Sequence, residues 1–574
     1  MSSGTFLRTA VAGLVVAAGL AVAVAAPASA HPKPPKPPKP PVTVPVRLVA
    51  INDFHGNLEP PTGSGGAIVN ESGTSVPAGG AAFMATHLKS LVNRDTAVVA
   101  AGDLIGATPL ISAAFHDEPT VELLGKLGLD VSSVGNHEFD EGIAELKRIQ
   151  NGGCHPVDGC SPAGRWKGAK YEYLGANVLK EDSGRYALPP VAIKKINGVK
   201  VGFIGLVTQT TPTIVTAAGI EGLEFAEEVE SGNRAARLLR LAGVKAIVAL
   251  VHEGDSVAPN QSPDACPVTP AAGTRIAQGL SPDVDLVVMG HSHQAYICKT
   301  QDPAGQDRYY TQGSSFGRVL TTIDFQVDKK TGEVVRSSVV PDNHVVTRDV
   351  TADPATSTFV QTWKDRVSTV ANKPIGNITA DIGRTAAPSG ETPLGDLIAD
   401  AQLEATRTGG NAEIALMNPG GVRADLTFAQ SGSEGNGVVT YGEAFTVQPF
   451  NNLMQVVTLT GARLDALLEQ QWQSGGTVTR ILQPSASLTY TMNLSQPIGS
   501  RVSDIKINGV AVTDAQQIRV AANNFLVGGG DGFSVFREGT DLWSGPLDID
   551  ALVAYFGAHT PIAPPAVGRI TLAG

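Results

Sequence analysis

Residues able to hold cations or move protons recur at five points of this chain, each directly after an apolar run. Asn52-Asp53-Phe54-His55-Gly56 follows Val46–Ile51, and Gly102-Asp103 follows Thr96–Ala101. Gly135-Asn136-His137-Glu138-Phe139-Asp140 follows Leu129–Val134, His252-Glu253 follows Ala246–Val251, and Gly290-His291-Ser292-His293 follows Leu286–Met289. Short apolar runs of this kind read as buried strands. Polar side chains at their carboxyl ends line the edge where open α/β folds bind ligands. In extended backbone, residues two apart face one side, so Asp53 and His55 can converge, as can His291 and His293. His137 and Asp140 are three apart; if a helix opens there they share a face, and the carboxylate can orient the imidazole. Taken alone, that stretch reads equally well as a plain helix start, with Asn136 as N-cap and Asp140 in the first turn. The other four motifs decide between the two readings.

With His137 set aside for catalysis, the collected donors are two carboxylates (Asp53, Asp103), one amide (Asn136) and four imidazoles (His55, His252, His291, His293). That mixture suits Mn, Zn, Fe or Co better than the all-oxygen cages of magnesium or calcium. Seven donors exceed one tetrahedral site and suit two ions sharing a carboxylate. Two ions about 3.5–4 Å apart can both grip a phosphate and activate a water.

The elements that must carry these residues follow from composition and periodicity. The chain has 574 residues, a hydrophobic fraction of 42% and a formal net charge of −11, with a mean hydropathy of +0.04. Its length suggests about two to four domains with large cores. Its charge argues against a nucleic-acid polymer as partner, since such binding needs a basic surface, but leaves room for a small anionic substrate. At the N-terminus, Arg8, the apolar run Val11–Ala26 and Ala28-Ser29-Ala30 compose a signal peptide over 1–30, so the mature chain should begin near His31. No later run is long and apolar enough to span a bilayer, and residues 561–574 show no hydrophobic anchor, so a secreted protein, with a cell-envelope association left open, is the expectation. Four cysteines suit that compartment, and the favoured pairings are Cys154–Cys160 and Cys266–Cys298. The rival is a Cys/His zinc site using His155, against which no paired C-x-x-C spacing is present.

Residues 31–45 form a Pro/Lys tract, an extended spacer that cannot build a core, and residues beyond it alternate strand and helix. Helices are predicted over 79–93, 120–127, 141–150 and 226–241, with a further strand at Val201–Val207, giving an α/β domain with sheet layers at its centre. Strands at Tyr309–Thr311 and Val319–Val327 read as its antiparallel completion. Ala355–Ala371 reads as a connector helix with few large apolar residues. A second α/β unit follows, with helices at 394–406 and 461–471, a strand at 413–417 and a strand-rich end from Leu488. The domain boundaries are placed at 46–345, 346–374 and 375–574.

The five motifs, in this order, resemble those of the calcineurin-like metallophosphoesterases. The remainder is similar to the 5′-nucleotidase branch through Asn418-Pro419-Gly420-Gly421-Val422-Arg423, Gln448-Pro449-Phe450-Asn451-Asn452, and Asn524-Phe525 followed by Gly528-Gly529-Gly530-Asp531-Gly532-Phe533. The resemblance implies a four-layer metallophosphoesterase β-sandwich flanked by helices, a connector helix and a C-terminal α/β nucleotidase domain. It implies one divalent ion on Asp53, His55, Asp103 and His293, and a second on Asp103, Asn136, His252 and His291. His137 with Asp140 becomes the catalytic pair. Asn418, Arg423, Phe450, Asn452, Phe525 and Asp531 become lining of a nucleoside pocket, and Arg384 a phosphate or base contact. Phe450 and Phe525 are the expected stacking pair, stacking contributing about 1–3 kcal/mol per base in nucleic-acid complexes. Where some relatives carry Gln in the last motif, this chain has His293, a stronger nitrogen ligand. The implied activity is removal of phosphate from nucleoside 5′-monophosphates, with nucleoside di- and triphosphates or nucleotide sugars as further substrates. The alternatives are a 2′,3′-cyclic-nucleotide phosphodiesterase acting as a 3′-nucleotidase and, from another class, a non-catalytic surface binding protein.

Overall fold

A computed structural model describes residues 42–573 apart from 216, 258–260, 267, 433 and 474–477. The signal segment over 1–30 and the Pro/Lys tract up to residue 41 lie outside the described residues. The last part of the tract is not spacer: the first strand, β1 (Thr43–Ile51), already includes Pro45, opposite Gln326. Proline is accommodated there because the neighbour on the other side joins only from Arg47 onward.

Most of the site is carried by two six-stranded sheets. The strands and helices that build them are β1, α1 (Ala81–Leu91), β2 (Thr96–Ala101), α2 (Glu118–Lys126), β3 (Leu129–Ser133), α3 (Gly142–Asn151), β4 (Glu172–Leu174), β5 (Val191–Ile196) and β6 (Val199–Val207). After them come α4 (Glu228–Leu241), β7 (Ala246–His252), α5 (Ala272–Gly279), β8 (Leu286–Met289), β9 (Ala295–Gln301), β10 (Asp307–Gly313), β11 (Val319–Asp328) and β12 (Val334–Val345). The first sheet runs β12-β11-β1-β2-β3-β4 and the second β9-β10-β8-β7-β6-β5. In the first, β1, β2, β3 and β4 are parallel, so the carboxyl ends of β1, β2 and β3 share one edge. In the second, β6, β7, β8 and β10 are parallel.

The sheets stack face to face, and alternation along each strand decides which layer a side chain enters. Leu48 and Ala50 of β1, Val99 of β2 and Val248 and Leu250 of β7 fill the core between the sheets. Val49 and Ile51 turn outward beneath one helical layer. Ile247, Ala249 and Val251 turn outward beneath α4 and α5. The result is a four-layer arrangement, helix–sheet–sheet–helix. The expected antiparallel completion holds in part: Val319–Val327, in β11, closes the first sheet antiparallel to β1 and β12, whereas Tyr309–Thr311, in β10 of the second sheet, is antiparallel to β9 but parallel to β8. Strand pairing depends on which sheet a strand enters, which local pattern does not encode.

After β12, helix α6 (Pro354–Ala371) is capped by Asp353, whose carboxylate accepts the Thr356 N–H. It is better anchored than its composition suggests. Trp363 is buried, with its ring 4.8 Å from Phe115 in the first half of the chain. Beyond it, α7 (Pro393–Gly410) packs on a five-stranded sheet of Gln483–Pro484, Ile414–Met417, Gln517–Asn523, Leu453–Thr460 and Thr540–Leu547, in that order. A four-stranded sheet that includes Leu488–Met492 and Val502–Ile507 shares its core. Both disulfides join as read, Cys154 with Cys160 and Cys266 with Cys298. Among the described residues no cysteine is left for a zinc site, and no helix is long and apolar enough to cross a membrane.

Arg308 on β10 fixes the approach to β8. Its fully buried guanidinium donates to the carbonyls of Ala277, Leu280, Ser281 and Val284, closing the end of α5 and the turn that launches β8. Arg308→Met should leave these carbonyls without a donor. A loss of about 3 kcal/mol or more in urea denaturation is expected, since each buried orphaned group costs about 1–3 kcal/mol; an unchanged midpoint would refute this role.

Candidate metal centre

The five motifs meet in space. Asp53, His55 and His293 form one cluster, and Asp103, His252 and His291 a second, each with its ligand atoms within 4.8 Å of one another. In the first, His55 Nε2 is 3.2 Å from His293 Nε2, and His293 Nε2 is 3.3 Å from Asp53 Oδ1. In the second, His252 Nε2 is 3.0 Å from Asp103 Oδ2 and 3.2 Å from Asn136 Oδ1, and the His291 ring lies 5.1 Å from the His252 ring. Asp103 Oδ2 also lies 3.6 Å from His55 Nε2, so one oxygen faces both clusters. Asn136 makes no side-chain cap; its amide oxygen is turned to His252. All seven expected donors are thus brought together.

Alternation along extended backbone is not what makes them converge. β1 ends at Ile51, and Asp53 and His55 adopt left-handed backbone (φ 49° and 43°). Asp103, His291 and His293 do the same, at φ 49°, 72° and 58°. For residues with a Cβ this is costly, and it persists where the surroundings over-determine it, commonly at functional sites. Here the surroundings are a backbone ladder: Asp53, His55 and Gly56 donate their N–H groups to the carbonyls of Gly102, Asp103 and Leu104. Close approach needs glycine as well, since a Cβ on Gly135 would sit 2.1 Å from Asp103 Oδ1.

The electrostatics suit cations. Burial drives His55, His291 and His293 toward the neutral form that a cation requires. Burial opposes ionisation of Asp103, but the charges of His252 and His137 prevail and hold its carboxyl well below the usual range. His55 donates from Nδ1 to the Gly106 carbonyl (2.9 Å) and His252 from Nδ1 to the Ala101 carbonyl (2.7 Å), which turns both Nε2 atoms toward the clusters. Neutral imidazoles, ionised carboxylates and one amide oxygen fit two divalent cations.

His137 opens a short 3₁₀ turn, His137–Phe139, and its Nδ1 lies 2.9 Å from Asp140 Oδ2. Its backbone N–H donates to Asp103 Oδ1 (2.9 Å), which ties this turn to the shared carboxylate. Glu138, part of the same motif but without a role assigned by sequence reading, is the buried support beneath. Its carboxylate accepts the N–H groups of Asp103 (2.9 Å), Leu104 (2.9 Å) and Gly135 (2.5 Å), tying together the loops after β2 and β3. Burial and the Asp103 charge push its carboxyl up to about 7, against the pull of those amides. Its third position in a tight turn after Gly135 was the one available signal.

The C-terminal residues approach from the other side. The Phe450 ring stacks on His137 (5.7 Å between centroids, 29° between planes), and the Arg423 guanidinium lies 5.7 Å above Phe450. Asn418 Nδ2 donates to Asp531 Oδ2 (2.9 Å), and Arg480 pairs with Asp531 Oδ1 (3.3 Å). The missing Cβ of Gly530, which would come within 2.6 Å of the Phe525 ring, lets that ring lie close to the glycine loop. Asn452 is already engaged with Asp548, by its backbone carbonyl and its side chain. Arg384 contacts Asp425 and the Val422 carbonyl, and with Arg423, Asn57, Thr62, Ala107 and Phe316 borders a cleft of about 500 Å³. Phe316, 6.0 Å from the His55 ring and 5.4 Å from that of His293, has no sequence pattern that marks it.

Comparison with known proteins gives a consistent result. Residues 46–295 match the calcineurin-like phosphoesterase family, and residues 369–538 match the 5′-nucleotidase C-terminal domain. The chain is 33% identical over 548 residues to the cell wall protein Lmo0130 of Listeria monocytogenes, covering 89% of this chain and 67% of that protein. It is 29% identical to the endonuclease YhcR of Bacillus subtilis, covering 92% of this chain but 41% of that protein, so it spans less than half the length of this second relative. The crystal structure of a 5′-nucleotidase precursor from Thermus thermophilus aligns with a TM-score of 0.75 at 26% identity, covering 92% of this chain and 99% of that one.

One ligand stands apart electrostatically. Burial works to lower the His252 pKa, but the Asp103 and Asp53 carboxylates and its hydrogen bonds carry it up to about 10 in the cation-free protein. A cation needs this ring neutral, so binding should displace about one proton from it at pH 8, and affinity should rise with pH up to about 10. Calorimetric titration with Mn²⁺ in two buffers of different ionisation enthalpy measures that proton; identical heats would contradict it.

Proposed function

This chain belongs to the calcineurin-like phosphoesterases that carry a 5′-nucleotidase C-terminal domain, and on that footing we propose that it removes phosphate from nucleoside 5′-monophosphates outside the cell. The residues upstream of 43 act as signal and spacer, the portion from there to 345 supplies the metal clusters, and the portion beyond 375 binds the nucleoside. Nucleoside di- and triphosphates and nucleotide sugars are further substrates of the same site. The observation that supports this reading best is the meeting of His137 with Phe450 and Arg423, because it sets an aromatic face and a guanidinium against the two clusters.

Two divalent cations held by Asp53, His55, His293 and by Asp103, Asn136, His252, His291 would supply charge against the phosphoryl oxygens and acidify an attacking water. His137 donates from Nε2, since Nδ1 is committed to Asp140. Burial disfavours its charged form, but Asp140 and Asp103 outweigh burial and raise its pKa. It can therefore give a hydrogen bond or proton to the phosphoryl group or the departing ribose oxygen, and it loses that ability as pH rises through the raised pKa. Arg423, half-buried and facing the Asp103, Asp140 and Asp53 charges, neutralises substrate phosphate as it enters. Phe450 and Phe525 offer flat faces for a base, and the Asn418–Asp531 pair offers polar groups for the ribose.

A panel of 5′-AMP, 3′-AMP, 2′,3′-cyclic AMP, ADP and UDP-glucose, read by released phosphate after reconstitution with Mn²⁺, Zn²⁺ or Co²⁺, tests the reading. The highest kcat/KM is expected on 5′-AMP; preference for 3′-AMP and the cyclic nucleotide would replace it with 3′-nucleotidase activity. Arg423→Ala should raise KM by about ten- to a hundredfold, the loss of a charged hydrogen bond of about 1.5–3 kcal/mol, without changing metal content. His137→Ala should keep its metals by elemental analysis while kcat falls by about 10²–10⁴-fold.

A further inference from the structure

Between a short helix (Leu110–Ala113) and α2, His116 and Asp117 are consecutive left-handed residues, at φ 50° and 59°. Neither is glycine, so the dipeptide carries backbone strain that its surroundings must hold in place. Asp117 is buried, and its carboxylate accepts the Gly106 N–H (3.1 Å), the Thr108 hydroxyl (2.7 Å) and the Ser112 hydroxyl (2.6 Å). The carbonyl of that same Gly106 takes the Nδ1 proton of His55. His116 reaches two other carboxylates, Glu141 from Nδ1 and Asp158 from Nε2, both at 2.9 Å. Glu141 follows Asp140, the partner of His137. Asp158 lies in the loop closed by the Cys154–Cys160 disulfide, and so does His155, whose ring stacks on His116 at 3.8 Å and 13°.

His116, His155 and Asp158 have the composition of a third cation site, but the ring geometry rules that out. An imidazole binds a cation in its own ring plane. Two planes 13° apart and stacked at 3.8 Å share no point within reach of a coordination bond. The arrangement is a clamp instead: an imidazole with carboxylates on both nitrogens, braced by a second ring on a disulfide-closed loop.

We propose that His116 and Asp117 are positioning residues of the metal centre, Asp117 fixing His55 through Gly106 and His116 fixing the Asp140 turn through Glu141. The proposal rests on the two-cation reading above. Without Asp117 the N–H side of Gly106 is unanchored, the backbone can rotate about that residue's Cα, and the carbonyl that selects the metal-facing tautomer of His55 is no longer held in place. Without His116 the turn from His137 into α3 loses its tie to the disulfide loop, and Asp140 loses its fixed position.

The two arms separate experimentally. Mn²⁺ affinity, read by competition with a chromophoric chelator, should weaken about tenfold in Asp117→Ala, the low end of what removal of outer supports of a metal site costs. Asp117→Asn should restore most of it, because the amide oxygen still accepts from Gly106 and the two hydroxyls can turn to donate or accept. His116→Ala should leave Mn²⁺ affinity unchanged and lower kcat on 5′-AMP by about five- to tenfold, with KM within about twofold of the parent chain. An Asp117→Ala protein that melts like the parent and binds Mn²⁺ equally well overturns the first arm; a parental kcat in His116→Ala overturns the second. His116 is only half-buried, so that variant keeps the proposal falsifiable if Asp117→Ala does not fold. Failure of the parent chain to hydrolyse 5′-AMP would overturn the proposed substrate, whereas the Mn²⁺ competition would still decide the Asp117 arm.

Discussion

A single carboxylate occupies the seam between two sheets, and most of the structure around it can be understood as the means of keeping it there. Asp103 presents Oδ2 to His252 from the second sheet and to His55 from the first, while Oδ1 accepts the backbone N–H of His137. A buried charge of this kind is tolerable only when its lone pairs are all met. Glu138 does not serve that carboxylate directly but fixes the backbone that carries it, by taking the amide of Asp103 itself together with those of Leu104 and Gly135. The loop after β2 is thereby locked to the loop after β3, and through the backbone ladder at Asp53 and His55 to the loop after β1.

The strain in these loops follows from that demand. A strand continued in β conformation would alternate its side chains to the two faces of the sheet. Five of the seven donors instead sit in left-handed backbone, which turns the chain sharply enough for successive donors to face one point. Such conformations persist because the ladder, the buried Glu138 and the close glycine contacts leave the chain no better alternative. His116 and Asp117 extend the same logic outward: a second strained pair, held by carboxylate and hydroxyl contacts, supports the first from behind.

The C-terminal portion contributes by approach rather than by ligation. Phe450 lies against the face of His137, and Arg423 reaches toward the carboxylates of the centre. Neither residue has a metal-binding atom in either cluster. A nucleotide bound between them would have its phosphate drawn to the clusters and its base kept on the far side, a division of labour that follows from where charge and flat apolar surface lie. Trp363 on α6, seated on Phe115, ties the connecting helix to the first half of the chain.

Much of this was legible in the order of residues. The strands at Thr96–Ala101 and Leu286–Met289 were readable to the residue because they are buried on both faces, so apolar character marks their full length. The donors at their ends were readable because five polar motifs recur, each directly after such a run, whereas one alone reads as well as a turn or helix start. Other features were not. The parallel seat of Tyr309–Thr311, the left-handed turns that make Asp53 and His55 converge, and the support given by Glu138 and Asp117 all depend on partners in other segments or on backbone conformation. Chain order therefore determined which chemical groups this protein owns and at which strand ends they stand. Only the tertiary structure decided that they share one point, because that depends on two sheets packing face to face and on strained loops that their mutual contacts hold in place.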